Sequence, residues 1–428
     1  MIIKNFKQLA TTGNKKLALS IIERGISGAL PNSHLEKIVK QNSLQVGRKK
    51  MPLEGYRRIY LVAIGKSADL MASTVDSLTR IHGGMVVIPS KTHSLIRKKK
   101  FALIRSDHPV PTVKSIVAAK KIVAFLKLLE KTDLVIFLIS GGASSLVSLP
   151  DGISLQDKQR VTRLLLRSGA NIREINCVRK HLSKVKGGRL VESLRCNAVS
   201  LVMSDVVGDD LSVIASGITY CDNSTFCDAK KVLIKYNLKN LVPKSVWTRI
   251  ILGTKGVIPE TLKKPKIQNY VIHSNRNCVD LMKTRAQKLG FVTRAIYSVE
   301  GNVGDAASEI SKHVPRSQNF CLVFGGETTV AVKGKGKGGR NQELVLNLLK
   351  KLKARDEKMT IVSVGTDGID GNTCAAGAIA DSFMSLESIN KYLNDNNSYH
   401  YFKKYGGLIF TGSTHTNLMD IGLVLLQK

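Results

Sequence analysis

Along most of the chain, short runs of β-branched and aliphatic residues alternate with segments whose apolar positions recur every three or four residues. The runs at 58–64 (RIYLVAI), 84–89, 101–105, 133–140 (DLVIFLIS), 198–204, 270–273, 292–297, 320–324, 328–333, 360–365 and 407–411 predict strands. Helical spacing is clearest at 112–130, 155–169, 276–289 and 341–353, and residues 5–50 read as two helices broken by Gly28 and the Leu30-Pro31 turn. Continuous Val/Ile/Leu strands separated by amphipathic helices are the pattern of parallel sheets covered on both faces. The fold class expected is α/β, with two domains, each a mainly parallel sheet flanked by helices, the N-terminal one Rossmann-like. Residues 236–268 interrupt the rhythm with three prolines and no strand. The domain junction is expected there, between an N-terminal domain over 1–240 and a C-terminal one over 265–428.

Composition narrows the function classes. Among 428 residues the longest apolar run, Leu134 to Ile139, is far too short to span a bilayer and suits a buried strand. Lys and Arg total 66 against 32 Asp and Glu, a net charge of +34 that attracts anions of every kind. Aromatic residues are 5% and do not interleave with the basic clusters, so no base-stacking surface is evident. Neither nucleic acid nor membrane is an expected partner; a homodimer is an open assembly. Seven cysteines, an odd number without a C-x-x-C pair, suit a reducing compartment, hence the cytoplasm. Leu17, Ile21 and Ile22 carry a helical stripe onward from the basic N-terminus, against a removable signal.

The chemistry-bearing residues gather at strand ends, where open α/β sheets bind ligands. Strand 58–64 runs into Gly65-Lys66-Ser67, and strand 133–140 into Ser140-Gly141-Gly142-Ala143-Ser144. Strand 198–204 leads to Asp205 and Asp209; 320–324 to Gly325-Gly326-Glu327; 360–365 to Thr366-Asp367-Gly368-Ile369-Asp370. The last strand leads to Thr411-Gly412-Ser413-Thr414-His415-Thr416-Asn417. Gly/Ser loops opening a helix present amides and hydroxyls to oxyanions, although a lone Gly-Gly is more often a tight turn. Aspartates just past a strand suit Mg²⁺, which takes one or two carboxylates plus substrate phosphates, and equally suit helix capping. The stretch from Lys333 to Arg340 sets four cations among glycines ahead of a helix with Leu344, Val345, Leu348, Leu349 and Leu352 on its apolar face. It reads as a flexible cationic loop for polyphosphate or carboxylate. Gly334, Gly336 and Gly339 formally match G-x-G-x-x-G, but intervening cations and the lack of a following acidic residue weaken a dinucleotide reading. No Walker A, G-x-S-x-G or H-E-x-x-H sequence occurs.

The stretches GKSADLMA, HPVPTVKS, INCVRKHLSKVKGGRL, SDVVGDDLSVIASG, FGGETTVAVKGKGKGGRNQELVL, GTDGIDGNTCAAGAIAD and TGSTHTN resemble the glycerate 2-kinase family (class II glycerate kinases, with a leucine-rich C-terminal module). The resemblance covers about 55–425. Departures are modest: Val207, Ile218, Ser413 and His415 stand where the family usually differs. The resemblance implies two α/β domains with the active site in the intervening cleft, and ATP-dependent phosphorylation of the 2-hydroxyl of D-glycerate with a divalent cation, here Mg²⁺. It assigns Lys66, of the GK motif, and Arg340, of GGRN, as active-site cations. The expected set is then Lys66, Arg340 and Asp205 for catalysis, with Asp205, Asp209 and Asp367 as metal ligands. Ser140, Gly141, Gly142, Ser144, Lys186, Glu327, Lys337, Asn341, Thr411, Gly412 and Asn417 are expected to bind substrate or nucleotide. The alternatives are a hydroxypyruvate reductase using NAD(P)H and, more remotely, a basic nucleic-acid binding protein.

Overall fold

The computed structural model describes residues 1–97, 99–316, 319–353 and 358–427. The chain divides into two units, one comprising Pro31–Ile272 and the other Met1–Leu30 together with His273–Lys428.

The first unit is built on a six-stranded sheet of β1 (Arg58–Ile64), β2 (Gly83–Pro89), β3 (Phe101–Ser106), β4 (Asp133–Ile139), β5 (Asn197–Ser204) and β6 (Gln268–Ser274). Its spatial order is β3-β2-β1-β4-β5-β6, the 3-2-1-4-5-6 order of dinucleotide-binding folds. The pairs β1–β2, β1–β4, β2–β3 and β4–β5 are all parallel. The reason is visible in β4, whose seven residues are all buried and which therefore needs helices on both faces. At the start of the central pair, Arg58 grips Asp133 through two bonds of 2.9 Å, pinning the register that brings Ile64 opposite Ile139. The helices Leu155–Arg167, Ile172–His181, Phe226–Lys235 and Lys244–Thr254 form a second core of their own around Val161, Val178, Phe226 and Ile250. Reciprocal capping boxes, Asn171 with Glu174 and Thr225 with Asp228, start two of them.

The second unit also carries six strands: β7 (Val292–Asn302), β8 (Phe320–Thr329), β9 (Met359–Gly365), β10 (Gly377–Asp381), β11 (Leu408–Ile409) and β12 (Asp420–Leu426). Their order is β7-β8-β12-β9-β10-β11. The α/β class holds, but this sheet is mixed rather than mainly parallel. Only β7–β8 is parallel, because β12, absent from the expected strands, inserts antiparallel between β8 and β9. The helix Arg340–Leu352 buries the five apolar residues expected of it, in one core with β8 and β9.

The unit boundaries depart from the expected junction in two ways. Residues 236–268 belong wholly to the first unit: Pro243 starts the helix Lys244–Thr254, and a Cβ at Gly253 would sit 2.2 Å from the Phe226 ring, so two helices meet there with no room for a side chain. The N-terminal helix Gly13–Gly28 instead packs in the second unit, where Gly25 lies against Met282 and Ile421. Asn5 bonds the Leu408 carbonyl at 2.8 Å, and Thr416 the Ala29 carbonyl at 2.7 Å. The segment 39–52, expected to be helical, forms a small antiparallel sheet of Val39–Lys40, Ser43–Val46 and Lys49–Pro52. The run at 328–333 is no separate strand, since β8 continues to Thr329 and ends.

Gly25→Val should force the N-terminal helix off Met282 and Ile421. Overpacking of this kind costs about 1–3 kcal/mol, so thermal denaturation should show a lowered melting temperature with unchanged native circular dichroism.

Candidate active site

In the first unit the strand order reverses between β1 and β4, the switch point at which such sheets bind ligands. The loops leaving these strands cross closely. Lys66 N–H donates to the Gly141 carbonyl at 2.8 Å, and Ser67 N–H to Ser140 Oγ at 3.1 Å. Gly65 adopts φ 138°, and a Cβ there would fall 2.1 Å from Ser140 Oγ, so only glycine permits the crossing. Gly142 is left-handed at φ 83°; a Cβ on it would meet the His108 ring at 2.9 Å and the Lys66 side chain at 3.5 Å. Thus Lys66, Ser140, Gly141 and Gly142 come together as expected, with His108 an unexpected neighbour.

Asp205 follows β5 and joins this group: Gly142 N–H donates to its carboxylate and Lys66 lies near enough to act on it electrostatically. Burial raises its proton affinity, and Lys66 only partly offsets the rise. Asp209 stands apart on the same loop, in a left-handed turn closed by its own N–H on the Val206 carbonyl. Ser144 faces Arg179, whose guanidinium reaches its Oγ at 3.4 Å. Lys186 is fully buried, with Nζ 3.4 Å from the Val147 carbonyl. Arg179, and Lys158 behind it, were not singled out from sequence. Lys158 reads there as one more surface cation on an amphipathic helix, yet it is 2% exposed.

The second unit gathers the remaining residues around Arg340. Its guanidinium bonds Asp420 through Nε at 2.5 Å and Nη2 at 3.0 Å, and Nη2 also lies 3.0 Å from Glu327. Burial disfavours the charge, but Asp420 outweighs it and holds the guanidinium protonated. Asp420, absent from the expected set, is invisible from sequence because its role depends on β12. Asp367 stands nearby: its Oδ1 and that of Asp420 lie 3.2 and 3.5 Å from where a Gly365 Cβ would be. Thr411 and Gly412 curl over Gly368, where a Cβ would fall 2.0 Å from the Gly412 carbonyl. Asn417 closes the same segment, half-buried.

The glycine-rich stretch departs from the flexible cationic loop expected. The amides of Lys333 and Gly334 bond Asn396 Oδ1, Lys335 and Gly336 bond Asp395, Lys337 bonds Asn397, and Gly338 bonds Asn372. The glycines are needed because the backbone lies flat on 395–398: a Cβ at Gly334 or Gly336 would fall within 2.4 Å of it. Lys337 rests its ammonium 4.7 Å from the centre of the Tyr399 ring. The following helix N-terminus is equally occupied, since Asp370 accepts the Asn341 and Gln342 amides at 3.0 and 2.9 Å. Asn341 is itself buried, taking the Ser363 hydroxyl at 2.6 Å. The amides 333–338 and the first helical turn are therefore committed within the chain.

Among the described residues no three His, Cys, Asp or Glu side chains converge as a metal-ion cage. Nor is any helix long and apolar enough to cross a membrane. All seven cysteines are unpaired.

Burial raises the Asp370 carboxyl to about 6, against the capping bonds that favour its charge. A raised folded-state value means the native state holds the proton more tightly, so this group's contribution to stability is present below about 4 and lost as pH rises through about 6. Asp370→Asn should lower stability by about 1 kcal/mol through the lost capping bond. It should also flatten the wild-type decline between those pH values, read by urea denaturation.

Two family models match the chain: a domain of unknown function (DUF4147) over residues 17–251, and the MOFRL family over residues 320–420. The glycerate 2-kinase of Pyrococcus horikoshii is 39% identical over 97% of this chain and 98% of its own length. The D-glycerate 2-kinase of Thermotoga maritima is 38% identical over 96% and 98%. The crystal structure of glycerate kinase from Thermotoga maritima superposes with a TM-score of 0.82 at 37% identity, covering 96% of this chain and 99% of that one. End-to-end similarity of this extent, on a fold whose switch point carries Lys66 and the Ser140–Gly142 turn, places the chain in the glycerate 2-kinase family.

Proposed function

We propose that the protein transfers the γ-phosphoryl group of ATP to the 2-hydroxyl of D-glycerate, giving 2-phosphoglycerate and ADP, in the cytoplasm. The full-length likeness to proteins named for this reaction carries the reading, and the cationic switch-point loop supports it. Phosphoryl transfer requires positioning and charge neutralisation more than covalent help. Lys66 offers its charge to the transferring group beside the 140–144 turn, and Arg340, already held by Asp420 and Glu327, is a second cation for an anionic group. The hydroxyl oxygen attacks the γ-phosphorus as the bond to the ADP oxygen breaks, and the hydroxyl proton passes to Asp205. Its raised proton affinity, and its place beside Lys66, fit a general base.

The carboxylates of Asp209 and Asp367 are hard oxygen donors of the kind that suits Mg²⁺ arriving with the nucleotide, and either alone would serve. Bound there, the ion would offset phosphate charge. The dinucleotide alternative loses its support, because the amides of Gly334 to Gly338 that would cradle a pyrophosphate are already bonded.

Incubation with ATP and D-glycerate should yield 2-phosphoglycerate, resolved from 3-phosphoglycerate by NMR, whereas NADH with hydroxypyruvate should be unchanged; the reverse result rejects the reading. In the same assay Lys66→Ala should cut turnover by about a hundredfold or more, the scale of losing one preorganised charge, while melting as wild type does.

Asp205→Asn should lower kcat by about 10² to 10⁴, the range for a lost general base, without shifting the Mg²⁺ concentration that gives half-maximal rate. A raised Mg²⁺ requirement with near-normal kcat at saturation would make Asp205 a metal ligand instead.

A further inference from the structure

Several buried charges in the first unit have counter-ions among the described residues. Lys180 is paired with Asp222 at 3.1 Å, and Asp133 with Arg58 at 2.9 Å. Burial, and with it Arg179, depresses the charge of both Lys158 and Lys186, and among the described residues none of the three bonds a carboxylate. Lys158 Nζ is buried with no hydrogen-bond partner among the described residues. Lys186 Nζ has the Val147 carbonyl alone, and the next residue, Ser148, holds a buried hydroxyl that is also unpartnered. Arg179 reaches only neutral oxygens, Asn176 Oδ1 and Ser144 Oγ, both at 3.4 Å. Such a cluster is costly unless something compensates it.

We propose that the buried Lys158 and Lys186, with the half-buried Arg179, form a pocket against the Ser144 turn that receives the phosphate chain of the nucleotide. Ser144 links the pocket to the crossing loops that carry Lys66, so the chain of phosphates would approach that lysine from the cation cluster. A carboxylate brings one negative charge and leaves two of the three cations uncompensated. A polyphosphate brings several charges and many acceptor oxygens, enough for the free Lys158 ammonium, the Arg179 fork and Ser148. Burial together with the neighbouring Arg179 lowers Lys158 to about 7, consistent with a site that awaits its anion.

The inference rests on ATP as the phosphoryl donor, but its test reads binding rather than turnover. Inorganic pyrophosphate is titrated calorimetrically into the full-length wild type, Lys158→Met and Lys186→Met, with D-glycerate as the second titrant. The expected result is at least a tenfold weakening of pyrophosphate binding in each variant, with glycerate binding kept. Without ligand, Lys158→Met should melt no lower than wild type, since it removes an uncompensated buried charge; pyrophosphate should raise the melting temperature of the wild type only. If either variant fails to fold, Arg179→Gln is read by the same titration. Pyrophosphate binding unchanged by the substitutions, no pyrophosphate binding by the wild type, or selective loss of glycerate binding overturns the pocket. A chain that binds pyrophosphate through these residues yet forms no phosphoglycerate keeps the pocket and rejects the glycerate reading. An active kinase whose variants bind pyrophosphate normally does the opposite.

Discussion

The parallel pairing of Arg58–Ile64 with Asp133–Ile139 is the constraint on which the first unit's site depends. Parallel neighbours end at the same edge of the sheet, so the chain leaving Ile64 and the chain leaving Ile139 emerge side by side. They must then turn toward helices, and the connections to the sheet on either side of this pair run in opposite directions. The space left at that edge is so small that Gly65 cannot carry a Cβ, and Lys66 is held by the Gly141 carbonyl. The Arg58–Asp133 fork at the opposite end keeps the register from slipping. A one-residue slip would move Lys66 off the Ser140–Gly142 turn and turn every side chain of a fully buried strand to the wrong face.

The second unit solves a different problem. Its helix Arg340–Leu352 begins in the middle of a crowded polar region, and its first amides need acceptors. Asp370 supplies them from the loop after β9, and Asp420 at the start of β12 takes the guanidinium of the first helical residue. Asp370 from a loop thus fixes the start of the helix, and Asp420 from a strand sets where Arg340 points. The glycine-rich approach to the helix lies down on residues 395–398 and gives up its amides to their side chains and carbonyls. A stretch that resembles a phosphate loop in composition is, by its bonding, a fixed strap.

The two charged regions are handled in contrasting ways. Around Arg340, Nε and Nη2 have acidic partners, and the guanidinium is held charged. Around Lys186 the cations face one another with neutral oxygens, and burial drives their proton affinities down. The first arrangement draws counter-charge from the chain itself; the second has none among the described residues, and that asymmetry is what points to a bound anion.

The sequence by itself determined the α/β class, nearly all strands of the first sheet, the apolar face of Arg340–Leu352 and the placement of Lys66, Ser140–Gly142 and Asp205 at strand ends. These follow from local periodicity and from the rule that parallel strands present their carboxyl ends to ligands. The same motifs were specific enough to carry the family resemblance. What it did not contain was pairing over distance. The strand Asp420–Leu426 is a short apolar run, and nothing local says that it inserts antiparallel between Phe320–Thr329 and Met359–Gly365. The three prolines of 236–268 look like a linker until the Phe226 ring is seen to fill the Gly253 notch. Lys158 looks like a solvated helix charge until its burial is measured, and Asp420 acquires its role only when Arg340 is laid beside it. Burial, counter-ions and antiparallel insertion are properties of residues remote in sequence, so only the tertiary structure could decide them.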